Sequence, residues 1–178
     1  QAGFRYDSSY PDVDRENMAN FGRGVRLNVP FRPLIDDGSG GMRPSRCLEL
    51  PLTAPDCIQP LFAGESPEQL RQTVERKAAF LGTTGGLYVA LVHGGVFDER
   101  DADLRTAHLE FVYRQLRRDD VWLASMEDIA DWWCRREQLR LSVRHSSVHV
   151  TNDGPRPIAG ARVIVERDTG DVALPVPP

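Results

Sequence analysis

The sequence predicts an α/β protein in which a parallel sheet with helices is followed by a short C-terminal β-hairpin or β-sandwich-like segment. Three observations predict it. From Ser66 onward, amphipathic helical stretches alternate with short apolar ones, and the order helix, strand, helix, strand, helix is that of a parallel sheet covered on both faces. Prolines 11, 30, 33, 44, 51, 55 and 60 keep residues 1–60 out of helix and leave short strands in long loops. After Leu139 the apolar period becomes two, with NDG and DTG as turn signals. These changes divide the chain into an α/β segment, residues 1–139, and a β-strand appendage, residues 140–178, possessing too few strands to bury a core alone.

Each element has its own signal. VRLNVP (25–30) and CLELPLT (47–53) alternate in strand fashion, each cut by a proline. SPEQLRQTVERKAAFLG (66–82) predicts a helix: Ser66 is the N-cap, Pro67 takes the first helical position, Gly82 closes it, and Leu70, Val74, Ala78 and Leu81 line one face. GLYVALV (86–92) follows as a buried strand. DADLRTAHLEFVYRQLRRD (101–119) predicts a second helix that buries Leu104, Ala107, Phe111 and Leu116, with Val112 and Tyr113 beside the stripe. VWLAS (121–125) predicts a short strand. SMEDIADWWCRREQL (125–139) predicts a third helix, opened by Ser125 and Asp128 at capping-box spacing and burying Ile129, Trp133 and Trp132. LSVRHSSVHV (141–150) and IAGARVIVE (158–166) then read as a pair of alternating strands.

Composition narrows the partners. A formal charge of -4, with arginines scattered along the chain, gives no electrostatic reason to expect nucleic acid or an anionic membrane. No apolar run reaches the length of a membrane span. Cys47, Cys57 and Cys134 match no zinc spacing, and reduced, partly buried thiols are expected over a Cys47–Cys57 bridge.

His93 ends an apolar strand and precedes two glycines. At the C-terminal rim of a parallel sheet, an imidazole with an ordinary pKa near neutrality suits proton transfer, and the glycines leave room for a ligand. The competing account is a histidine hydrogen-bonded at a strand end. GFRYDSSYPD (3–12), LELPLT (48–53), LYVALVH (87–93) and DVWLASMEDIADWWCRRE (120–137) resemble, in order, successive segments of the polysaccharide deacetylase family, carbohydrate esterases with a deformed β/α barrel. The resemblance covers residues 1–140 and implies a partial (β/α) barrel, the C-terminal half of the family domain. It also implies that His93 is the general acid toward the leaving group, that Asp7 matches an aspartate supporting the active site, and that the location is secreted or periplasmic. Asp7 lacks the tryptophan expected soon after it, and an Asx-type turn with Ser8 and Ser9 is the alternative.

The family's Thr-Phe-Asp-Asp-Gly and His-Ser/Thr-x-x-His motifs, which supply the base and the ligands of a divalent metal such as zinc, do not precede Gly3. The isolated chain is therefore expected to hold no metal and to be inactive. The expected function is deacetylation of acetylated carbohydrate once the N-terminal half is present. The alternative is a non-catalytic module on a degenerate scaffold that binds carbohydrate or protein. Either the missing half of the barrel or a second copy would pair with an exposed sheet edge.

Two stretches imitate the missing motifs. LIDDG (34–38) follows VPFRP, whose prolines disrupt a buried strand, so a solvated turn is expected. HSSVH (145–149) lies in an alternating, β-branched stretch; on one strand its histidines stand roughly 13 Å apart, too far for one ion. His108 is expected on the polar face of its helix. Trp122, Trp132 and Trp133 are expected to pack rather than to stack on sugar.

Overall fold

The computed structural model describes residues 3–10, 28–54, 64–91, 102–145, 147–158, 162–165 and 172–175. The chain forms two compact units, Gln1–Leu123 and Ala124–Pro178.

The first unit is organised by residues 48–54. Its strands are β1 (Tyr6–Asp7), β2 (Leu34–Asp36), β3 (Met42–Pro44) and β4 (Leu48–Glu49), and its helices are α1 (Pro67–Thr84) and α2 (Ala102–Gln115). Leu48, Glu49, Leu50, Leu52, Thr53 and Ala54 are all buried, so both faces of this segment are covered, as a central parallel strand requires. Successive N–H groups of an extended chain point to opposite edges. On one edge Leu48, Leu50 and Leu52 donate to the carbonyls of Arg5, Asp7 and Tyr10, and β1 runs parallel with Tyr6 opposite Leu48. On the other, Glu49 exchanges two bonds with Phe31, and Thr53 donates to the Val89 carbonyl at 3.0 Å. Pro51 falls on this second edge. With no N–H to give, it interrupts the ladder between those contacts. A parallel bridge then joins Ala54 to Ala90. The order is therefore extended segment, α1, parallel extended segment.

β2 and β3 form an antiparallel hairpin with Ile35 opposite Arg43.

Helix α1 opens on a complete capping box, in which the Ser66 hydroxyl accepts from Gln69 N–H and the Gln69 side chain accepts from Ser66 N–H. It does not end at Gly82. It continues to Thr84 and closes on Gly85, whose φ of 64° is the left-handed cap conformation. A glycine is tolerated inside a helix, whereas the cap demands positive φ, and Gly85 supplies it. Leu70 and Val74 from α1 pack with Leu104 and Phe111 from α2, and Ala78, Tyr88 and Val112 border this core.

Gly86 turns the chain out of the helix. A Cβ there would lie 2.6 Å from Leu81 Cδ2 and 2.8 Å from the Asn28 carbonyl oxygen, and Asn28 also accepts the Leu87 N–H. The backbone oxygen cannot swing aside. Gly86→Ala is expected to cost about 1–3 kcal/mol, read as a shift in the chemical-denaturation midpoint. An unshifted midpoint would mean that the turn yields freely.

The second unit contains α3 (Met126–Arg136), β5 (Leu139–Arg144), β6 (Ser147–Asn152), β7 (Arg162–Val165) and β8 (Val172–Pro175). Ser125 caps α3 by accepting from Asp128 N–H, with acids in the first turn and Arg135 and Arg136 in the last. β5 pairs antiparallel with β6, and β7 with β8.

The described sheets are two-stranded and form no closed barrel; the observed class is mixed α/β with one parallel pair, as the α/β expectation has it. Several other expectations need correction. Residues 121–125 form no strand: Val121, Trp122 and Leu123 are exposed. Leu116 and Tyr113 are exposed too, because the core of α2 centres on Phe111 and the helix ends at Gln115. His108 is buried, on the core side between Leu104 and Phe111. In α3 only Ala130 is fully buried, and Ile129, Trp132 and Trp133 are half-covered. Residues 139–152 are two strands rather than one. The chain reverses at His145, whose φ is 55°, so His145 and His149 do not share a strand.

Candidate functional site

The described part of the candidate site gathers where β1 ends. Asp7 is exposed; its Oδ1 accepts from Ser8 N–H at 2.9 Å and its Oδ2 accepts from the Ser9 hydroxyl at 2.8 Å. The Ser8 hydroxyl donates to the Leu50 carbonyl at 2.7 Å and ties this turn to the central segment. Glu49 stands opposite Asp7 in the parallel register. Its side chain is only 4% exposed, and its Oε1 accepts from Ser9 N–H at 3.0 Å and Tyr10 N–H at 2.8 Å. A carboxylate this deep must be compensated, and two converging backbone donors do so. Glu49 thus holds the turn that holds Asp7. Edge-to-face contact between Tyr10 and Phe31, 5.9 Å between centroids, braces the far side.

Cys47 lies nearby as a half-buried free thiol. Burial, together with the negative charges of Asp7 and Glu49, raises its pKa, and Arg32 pulls the other way. It therefore stays protonated at neutral pH and is a poor nucleophile.

His93 and Cys57 lie outside the described residues. The segment that leads to His93 is fixed by Thr53, whose hydroxyl donates to the Leu87 carbonyl at 2.7 Å and accepts from Val89 N–H at 2.8 Å. The geometry thus brings the β1 turn, residues 48–54 and residues 87–91 together in parallel order.

The two imitation motifs take other roles. Asp37 tops the β2–β3 hairpin, fully exposed, and its Oδ1 accepts from Ser39 N–H, the Ser39 hydroxyl and Gly41 N–H. These bonds, those of Ser39 foremost, hold its pKa below the usual carboxylate range. It is the solvated turn that the prolines imply. Among the described residues, no group of three or more His, Cys, Asp and Glu side chains is placed to hold a metal. Trp132 and Trp133 contact each other at 6.1 Å, and the Arg136 guanidinium lies 4.5 Å over the Trp133 ring.

Glu49 was not singled out from sequence, although a signal existed: it is the only charged residue of CLELPLT, a stretch read as strand. A lone carboxylate in such a run must either face solvent or have dedicated donors. No family model, no curated protein and no solved structure matches the chain.

Proposed function

We propose that the chain is the C-terminal part of a polysaccharide-deacetylase-like hydrolase that removes acetyl groups from carbohydrate. The observation that supports this reading is the parallel succession of residues 6–10, 48–54 and 87–91, with α1 crossing between the last two. That succession suits consecutive units of a partial (β/α) barrel, where reactive groups collect at the C-terminal strand ends. Asp7 stands at one such end, and the third segment runs in sequence toward His93.

The divalent ion of a complete enzyme supplies Lewis acidity for attack on the acetyl carbonyl. The described residues do not provide its ligands. In this reading the aspartate base and the metal ligands come from the N-terminal half of the domain. His93, as imidazolium, gives its proton to the sugar nitrogen or oxygen as the bond to the acetyl carbon breaks. Asp7 acts through the turn built on Ser8, Ser9 and Glu49.

The test joins the chain to the polypeptide encoded upstream of Gln1 and assays acetylated chitooligosaccharides. The expected result is hydrolysis in the joined protein that EDTA abolishes, none in the chain alone, and about a hundredfold lower kcat in His93→Ala, the usual scale for a general acid. Unchanged kcat in His93→Ala would overturn the assignment of His93. EDTA-sensitive hydrolysis by the chain alone would overturn the half-domain reading.

A further inference from the structure

We propose that the β6 edge is a self-association surface, on which a second copy of this chain adds its own β6 antiparallel across a two-fold axis. The hairpin β5–β6 sorts its side chains cleanly. Leu141 stands opposite Val150 and Val143 opposite Val148 on one face, whereas Arg140, Ser142, Arg144, Ser147, His149 and Thr151 occupy the other. Leu141 and Val143 are 62% and 73% exposed, and among the described residues the hairpin is a sheet of its own. Two strands with an open apolar face are marginal by themselves; three or four make a stable sheet.

The two outer edges are not equivalent. β5 carries Arg140 and Arg144, charges of the kind that discourage strand addition. From Ser147 to Thr151, β6 carries neither a carboxylate, nor lysine or arginine, nor proline, and its residues are hydroxylic, β-branched or histidine. Among the described residues nothing there blocks pairing. The run Ser147-Val148-His149-Val150-Thr151 is also near-palindromic about His149. Pairing across a two-fold axis at His149 sets Ser147 opposite Thr151, Val148 opposite Val150 and His149 opposite His149 of the second copy. Hydroxyl then meets hydroxyl and valine meets valine, the self-complementarity that an isologous interface demands. The product is a four-stranded antiparallel sheet whose apolar face takes Leu141, Val143, Val148 and Val150 from each copy.

Light scattering coupled to gel filtration, over a dilution series of the full chain, tests this with register-specific charges. The variant Ser147→Glu/Thr151→Glu places each glutamate opposite Arg144 or Arg140 inside its own hairpin, which favours the fold, but sets glutamate against glutamate across the two-fold axis. The variant Ser147→Glu/Thr151→Lys sets opposite charges there, but its lysine also faces Arg140 within its own hairpin, so its fold is checked by circular dichroism and thermal melting, and the single variant Ser147→Glu, which meets only Thr151 across the axis, is run beside it. The expected result is a dimer for the wild type, for Ser147→Glu and for a folded Glu/Lys variant, and a monomer for the Glu/Glu variant. A monomeric wild type, a Glu/Glu variant as dimeric as wild type, or a monomeric Ser147→Glu variant would each overturn the proposal, the last two because the contact is then not in this register.

Discussion

Replacing Phe111 by alanine lowers the stability of the first unit by about 3–5 kcal/mol, the usual cost of emptying a buried aromatic site. Phe111 is 1% exposed and packs against Leu70, Val74 and Leu104, with the Tyr88 ring 5.5 Å away. It contacts both α1 and Tyr88 of the segment 87–91, beside Leu104 from its own helix. The ion pairs that also link the helices, Arg71 with Glu110 at 3.6 Å and Arg114 with Glu75 at 2.8 Å, are too exposed to substitute for it. Such surface pairs contribute about 0–1 kcal/mol each. Glu75→Ala should therefore be nearly silent in the same denaturation experiment that exposes Phe111→Ala. Hydrogen exchange separates the two effects, because loss of Phe111 should accelerate exchange along α1 and α2 together. A loss below about 1 kcal/mol for Phe111→Ala would mean that the two helices are not held by this core.

The helices were legible because their signals are local. Ser66 and Ser125 cap the helices expected of them, and Leu70, Val74, Leu104 and Phe111 fall on the faces their spacing implies. Gly82 misled because sequence alone does not reveal which of several nearby glycines takes positive φ; Gly85 does. Residues 121–125 read as a short core strand, but burial depends on partners that local sequence does not name, and Trp122 remains 58% exposed. The reversal at His145 was hidden for a similar reason. RHSS lacks the Asn-Gly or Asp-Gly pair that marks a tight hairpin, and the strand pattern runs unbroken through it. At the candidate site, Asp7 was singled out through the resemblance, with a turn on Ser8 and Ser9 as the alternative, and those serines do bond its carboxylate; Glu49 acquires meaning only when β1 is laid beside β4 and the N–H groups of Ser9 and Tyr10 converge on it. Contacts between residues about forty positions apart are not written in local sequence.

Thr53→Val should cost about 2–5 kcal/mol although it preserves the shape of the side chain. Thr53 is fully buried, and its hydroxyl bonds both the Leu87 carbonyl and the Val89 N–H. Valine fills the same space and satisfies neither. Each orphaned backbone group then carries its desolvation penalty, about 1–3 kcal/mol. Thr53→Ser keeps the hydroxyl and loses one methyl group, so it should cost only about 1 kcal/mol. The contrast between the two variants isolates the bridge from packing, which a single substitution would not do. In Thr53→Val the amides of residues 87–91 should exchange faster, while those of α1 near its N-terminus change less. On the proposed deacetylase reading, the same variant in the joined protein should lower kcat, whereas Thr53→Ser leaves it near wild type. If valine is tolerated as well as serine, the hydroxyl does not clamp these two segments together.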